Sequence, residues 1–460
     1  MPEQQSALMR LYRHLTGHPE IIIGLILLLS IYTRYTITYF GNPERLVIPD
    51  QYYQGPVRGN DWRMTVMDQA DRVIAGIKPD LSMGYGYGFT LPAVAAMSAV
   101  RSAGYCAPAS TGSCTYWGYL LFVSSALFLQ AGLMLTAVKR PEALKIAILF
   151  FAVFLLGIPG ARGIETGNLD ILLSAIVGFA LIGSLRSPGR PRLTSLITGL
   201  VFGWLINIKL FIGALLPAVV FAVPQPAFAV AGILIGHVLV NTLPALFGIM
   251  PDYLFPLSTS LYALAPMSEA LFRGYPHGNN TLLGTAAGMV GALGFSGTRT
   301  GNFFTRAFAL LLGIAVFVPP AAYLYRGISR NAGSIRGIRA DFLRTAGRGA
   351  GLLRRNRENT AILFSAAGVA AMNLIPAMAY DYRLYYALPV IYLMLNRFAP
   401  GSDGLRLTYL TVYLFLLRTV WILKGRTMNI FLYAFFVMIL LTAVRAYLPA
   451  DHTGKKRGHP

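Results

Sequence analysis

Ile21–Tyr39, IIIGLILLLSIYTRYTITY, is an apolar run interrupted by one charge, Arg34, and its reading decides the fold. Arg10 and Arg13 precede it and no small-residue cleavage site follows, so it reads as a retained membrane helix, not a removed leader. Runs of the same character recur along the chain. Of the 460 residues 55% are hydrophobic and only 12% charged, and the mean hydropathy is +0.57. A soluble domain of this size is not so apolar. The expectation is an all-α polytopic membrane protein, a single integral domain over 1–460, multi-pass in the cell's inner (plasma) membrane.

The net charge of +21, from 39 Lys and Arg against 18 Asp and Glu, falls in short stretches between apolar runs. It therefore reads as topology and excludes a nucleic-acid partner. The basic tracts at 139–145, 186–192, 326–357 and 455–457 are expected on the cytoplasmic side, against anionic membrane lipids. That order works only if Phe89–Val100, short and carrying Pro92, and Thr281–Phe295, rich in Gly and Ala, do not cross. Both are expected to be external re-entrant or interfacial helices. About 12 transmembrane helices remain, beginning near Glu20, Tyr116, Leu144, Asn168, Leu193, Lys209, Phe228, Phe303, Thr360, Arg383, Leu405 and Asn429. Leu193–Val223 is read as two partial helices meeting at a polar break, Asn207 and Lys209. The loops at 41–115 and 248–302 lie outside, and 325–359 is a basic cytoplasmic loop whose arginines recur every few residues.

The first external loop concentrates scarce acid. Five aspartates, Asp50, Asp61, Asp68, Asp71 and Asp80, join Glu44 there, and a carboxylate at a membrane interface can stay ionised and accept a proton. Asn60 or Asp61 is placed to cap a short amphipathic helix over 62–75. The only two cysteines, Cys106 and Cys114, lie close together in the same loop, where a disulfide is expected. The histidines are scattered, so neither a metal site nor a cofactor is called for. Further polar residues assigned to the outer side include Asn168, Asp170, Lys209, His277, Asn280, Arg299, Asp381 and Arg383. Their convergence suits a site for a sugar and a phosphate.

Asp61 ahead of a short amphipathic helix ending at Gly76, Phe89-Thr90-Leu91-Pro92, Gly167-Asn168, Ile208-Lys209, Asn279-Asn280-Thr281-Leu282 and Pro376 ahead of Asp381-Tyr382 stand in an order that resembles a known family. It is the bacterial polyprenol-phosphate-mannose-dependent mannosyltransferases of the GT-C superfamily, and the resemblance runs from about Ile21 to Leu395. It differs in Trp62-Arg63 after the aspartate, in Thr-Leu-Pro where Tyr-Pro-Pro is common, and in Asn168 where Gly-Gln falls one step earlier. The resemblance implies a GT-C-like helical bundle with an external active site, where the first-loop aspartate, here Asp61, is the catalytic base.

The implied reaction moves a hexose such as mannose from a polyprenyl-phosphate donor to a glycan, glycolipid or protein acceptor. The acceptor hydroxyl loses its proton to Asp61, with Asp50 in reserve, while attacking the anomeric carbon through an oxocarbenium-like transition state. A single displacement inverts that carbon. The departing phosphate needs cations, for which Lys209 and Arg383 are the candidates, with Asn168, His277, Asn280 and Arg299 as further substrate-binding residues. Plainer readings stand beside these: Asp61 as a helix cap, Lys209 as a snorkelling lysine, Arg383 as the partner of Asp381. At the level of function, a flippase of lipid-linked sugar and a lipid-linked glycan polymerase or ligase remain alternatives.

Overall fold

The computed structural model describes residues 13–14, 16–40, 111–157, 160, 163–164, 168–186, 189–246, 281–295, 298–331, 357–375, 381–420 and 426–448. Among them there is no strand. The helices are α1 (Pro19–Phe40), α2 (Thr111–Ala137), α3 (Pro141–Leu156), α4 (Asp170–Arg186), α5 (Pro191–Ile208), α6 (Leu216–Ala222), α7 (Pro226–Leu246), α8 (Leu282–Ala292), α9 (Arg299–Asn331), α10 (Arg357–Leu374), α11 (Ala387–Arg397), α12 (Asp403–Thr419) and α13 (Arg426–Tyr447). Two 3-10 segments, Leu210–Leu215 and Asp381–Tyr386, lead into α6 and α11.

Several helices start earlier than their first apolar residue. Pro19, Pro141, Pro191 and Pro226 each open one, because the ring presets the helical φ and the missing amide would be unpaired there anyway. Helix α9 runs through Pro319 and Pro320 to Asn331. In hydrocarbon a helix interrupted at those prolines would strand more backbone groups than the two amides they lack. Of the basic stretch 325–359, Arg326 and Arg330 belong to α9, Arg357 opens α10, and 332–356 lie outside the described residues.

Four helices are long and apolar enough to cross a membrane, over Leu120–Ala137, Pro191–Ile208, Arg299–Gly327 and Ile430–Tyr447. Their outward faces are greasy, with Phe128 83% exposed, Phe303 68% and Leu310 66%. Apolar faces of that extent call for lipid in place of water, so the architecture is that of an all-helical protein associated with a membrane. By contrast α8 has 11 residues, about 16 Å at 1.5 Å per residue. Its first residue, Leu282, packs beside Gly313 midway along α9.

The interior is aromatic. Phe415 of α12 sits with its ring centroid 5.4 Å from both Phe150 and Phe154 of α3 and 4.8 Å from Phe435 of α13.

Arginines lock one end of this bundle. Arg186 donates to the carbonyls of Thr136 and Ala137 at the end of α2, and Arg357 donates at 2.8 Å to both Ser184, near the end of α4, and Ala222, the last residue of α6. Arg140 donates to Leu395 and Phe398 at the end of α11. Each guanidinium thus satisfies final-turn carbonyls that have no partner in their own helix, where the helix dipole also favours a cation. Consequently α2, α4, α6 and α11 all finish at this basic end, α3 and α10 begin there, and the opposite end collects the starts of α4 and α11 and the finish of α5.

The tightest helix pair is α5 with α7. Gly199 and Gly203 face the backbone of Ala229 and Ile233, while Gly232 and Gly236 face that of Leu196 and Leu200. These are two four-residue small-residue repeats pressed backbone to backbone, which is how helices approach closely where no hydrophobic effect drives them together. A Cβ on Gly203 would overlap the Ile233 carbonyl oxygen. Gly203→Leu should therefore destabilise the fold by about 1–3 kcal/mol, read as a lower thermal unfolding midpoint in detergent. An unchanged midpoint would contradict this packing.

Candidate functional site

At the end opposite the arginines, the α5–α6 run breaks at Lys209, whose backbone turns extended at φ −141°, ψ 99°. The apolar run cannot continue as one straight helix there, and the 3-10 turn after the break brings Phe211 inward. The face of the Phe211 ring carries the Arg383 guanidinium, 4.1 Å from its centroid, and Tyr386 meets the same ring edge-on at 5.9 Å. Arg383 also donates to the Met372 carbonyl at 3.1 Å, near the end of α10.

Tyr386 leads on to α4. Its hydroxyl donates to Asp170 Oδ1 at 2.9 Å, and Asp170 is fully buried at the first position of α4. The Asp170 carboxylate and the Arg383 guanidinium act on the Tyr386 hydroxyl electrostatically with opposite signs. Asn168 Oδ1 accepts the Asp170 amide at 2.9 Å, satisfying one donor of the helix start. One turn along α4, Gln130 of α2 donates from Nε2 to the Ile171 carbonyl and to Ser174 Oγ, both at 2.7 Å. Five stretches far apart in sequence thus meet in one polar cluster: Gln130, 168–174, 209–211, Met372 and 383–386.

Of the residues singled out from sequence, Asn168, Lys209 and Arg383 come to this same end. Asn168 is 3% exposed with its carbonyl oxygen engaged on Asp170, so it acts on the start of α4. Arg299 opens α9 on an exposed surface. Asp61, Asp50, His277, Asn280, Cys106 and Cys114, like the segment Phe89–Val100, lie outside the described residues. Phe211 and Tyr386 were not singled out, and Asp170 stood only among the outer polar residues. The signal for Asp170 was an acid opening an apolar helix just after Gly167-Asn168; Phe211 and Tyr386 read as ordinary core aromatics.

Chemically, the cluster offers two cations of different kind. A lysine carries a compact point charge, while a guanidinium stacked on an aromatic face is planar and spreads its charge over several donors. Fold and site together define an all-helical, membrane-associated protein with a built polar cluster at one end. No family model, curated protein or solved structure matches the chain.

Proposed function

We propose that this chain is a membrane glycosyltransferase that moves a hexose, such as mannose, from a polyprenyl-phosphate donor to a glycan, glycolipid or protein acceptor on the external face, with Asp61 as base. The observation that carries the reading is that the helix break at Lys209 and the Arg383 guanidinium, 174 residues apart in the sequence, come to the same end of the bundle, Lys209 two positions before Phe211 in the chain and Arg383 stacked on the Phe211 ring. Two cations there suit a phosphate leaving group, which departs as an anion and needs charge stabilisation more than a proton. Helix α2 ends at the basic end and so begins at the cluster end.

In the proposed step the acceptor oxygen bonds to the anomeric carbon as the bond from that carbon to the phosphate oxygen breaks. The phosphate keeps the electron pair, and Asp61 takes the acceptor's proton. Protein reconstituted in liposomes with radiolabelled polyprenyl-phosphate mannose and a lipid extract as acceptor source tests the reading. Label should pass to the acceptor with inversion, releasing free polyprenyl phosphate.

The half-length α8 would suit one rival, a flippase of lipid-linked sugar. Intact donor appearing in the opposite leaflet, with no polyprenyl phosphate released, would overturn the transferase reading in its favour.

A further inference from the structure

Asp170 is the most unusual side chain in the cluster. It is an acid at 0% exposure, and its Oδ2 has no hydrogen-bond partner among the described residues. A buried carboxylate with half its acceptor capacity unused is costly to the fold. Packing therefore does not account for it, and what Oδ1 holds must.

Oδ1 holds Tyr386. Tyr386 shares with Arg383 the single 3-10 segment Asp381–Tyr386, and both side chains close on Phe211, two positions after Lys209. The Asp170–Tyr386 bond is the polar contact in this cluster that ties that segment to α4. The same segment is also anchored by Tyr385, which donates to the Gly160 carbonyl at 3.3 Å, and by Arg383, which donates to that of Met372, so loss of the Asp170 bond would loosen the turn without releasing it.

We infer that Asp170 is a positioning residue that, through Tyr386, sets Arg383 and Phe211 for the phosphate of the lipid donor. The inference rests on the glycosyltransferase reading and deepens it. Asp170 touches no reacting atom in this account. Its effect falls on donor affinity and KM, with a further loss in kcat, since the phosphate bound in the ground state gains charge as it departs.

The test is equilibrium binding of polyprenyl phosphate to purified full-length protein in nanodiscs, alongside transfer kinetics and thermal unfolding. Tyr386→Phe and Asp170→Leu should each weaken binding about two- to tenfold, the range for one hydrogen bond. The double variant should lose no more than either single one, because both remove the same bond. Asp170→Asn keeps the acceptor oxygen and should recover most of the affinity, with an unfolding midpoint no lower than that of the unmodified protein.

Additive losses, or equal weakening by Asp170→Asn, would overturn the inference. So would a fall in kcat at unchanged KM. If Asp170→Leu does not fold, Tyr386→Phe decides alone, and unchanged binding there is sufficient to reject the proposal. Failure of the unmodified protein to bind polyprenyl phosphate would instead reject the glycosyltransferase reading itself.

Discussion

Asp61→Asn abolishes transfer, lowering the rate about 10²–10⁴-fold, while the protein still folds and still binds its lipid donor. The amide keeps the size of the carboxylate and is among the best helix caps, but it cannot accept the acceptor's proton. The substitution therefore separates chemistry from capping, which alanine would confuse. Single-turnover transfer with prebound donor is the direct measurement, because it reads the chemical step apart from binding. Near-normal turnover by Asp61→Asn, with loss in Asp50→Asn, would transfer the role to Asp50. Normal turnover in both would end the mechanism.

Lys209→Met weakens donor binding by roughly ten- to more than a hundredfold, the equivalent of one charge-assisted contact of about 1.5–3 kcal/mol. Methionine keeps much of the aliphatic stem, so packing at the helix break changes little. The loss should appear with polyprenyl phosphate as well as with the sugar-bearing donor, because the phosphate is the group addressed. Unchanged affinity in a folded protein would leave Lys209 as a lysine that merely reaches the interface from a helix end.

Much of the fold could be read from the chain because membrane helices announce themselves by uninterrupted apolar runs. The break at Lys209 was legible for the same reason: a lysine inside such a run is expensive unless the helix ends there. Starts were less legible, since prolines such as Pro141 and Pro191 look like breakers until one recognises them as first helical residues.

The site was legible in part. Asn168, Lys209 and Arg383 could be placed at one end from charge order alone, and the structure brings the elements that bear them together. Their pairings could not be read. Tyr386 and Asp170 are separated by 216 positions, and nothing in either neighbourhood marks the other. Arginines were read for sign and not for valence. Arg186 and Arg357 were taken as topology markers, and the number of donors that lets one guanidinium serve two helix ends leaves no trace in a charge count.

Those arginine contacts bear on how the chain is made. A nascent chain emerges from its amino end, so the carbonyls of Ser184 and Ala222 enter the bilayer long before Arg357, which lies 173 and 135 residues downstream. Arg140 waits still longer, its acceptors at Leu395 and Phe398 being 255 and 258 residues away. Until α10 is synthesised, water must stand in for the Arg357 guanidinium at the ends of α4 and α6, and until α11 is synthesised it must stand in for the carbonyls that Arg140 will meet. The early helices can insert one by one, but they can close into their final arrangement only after synthesis has passed residue 398.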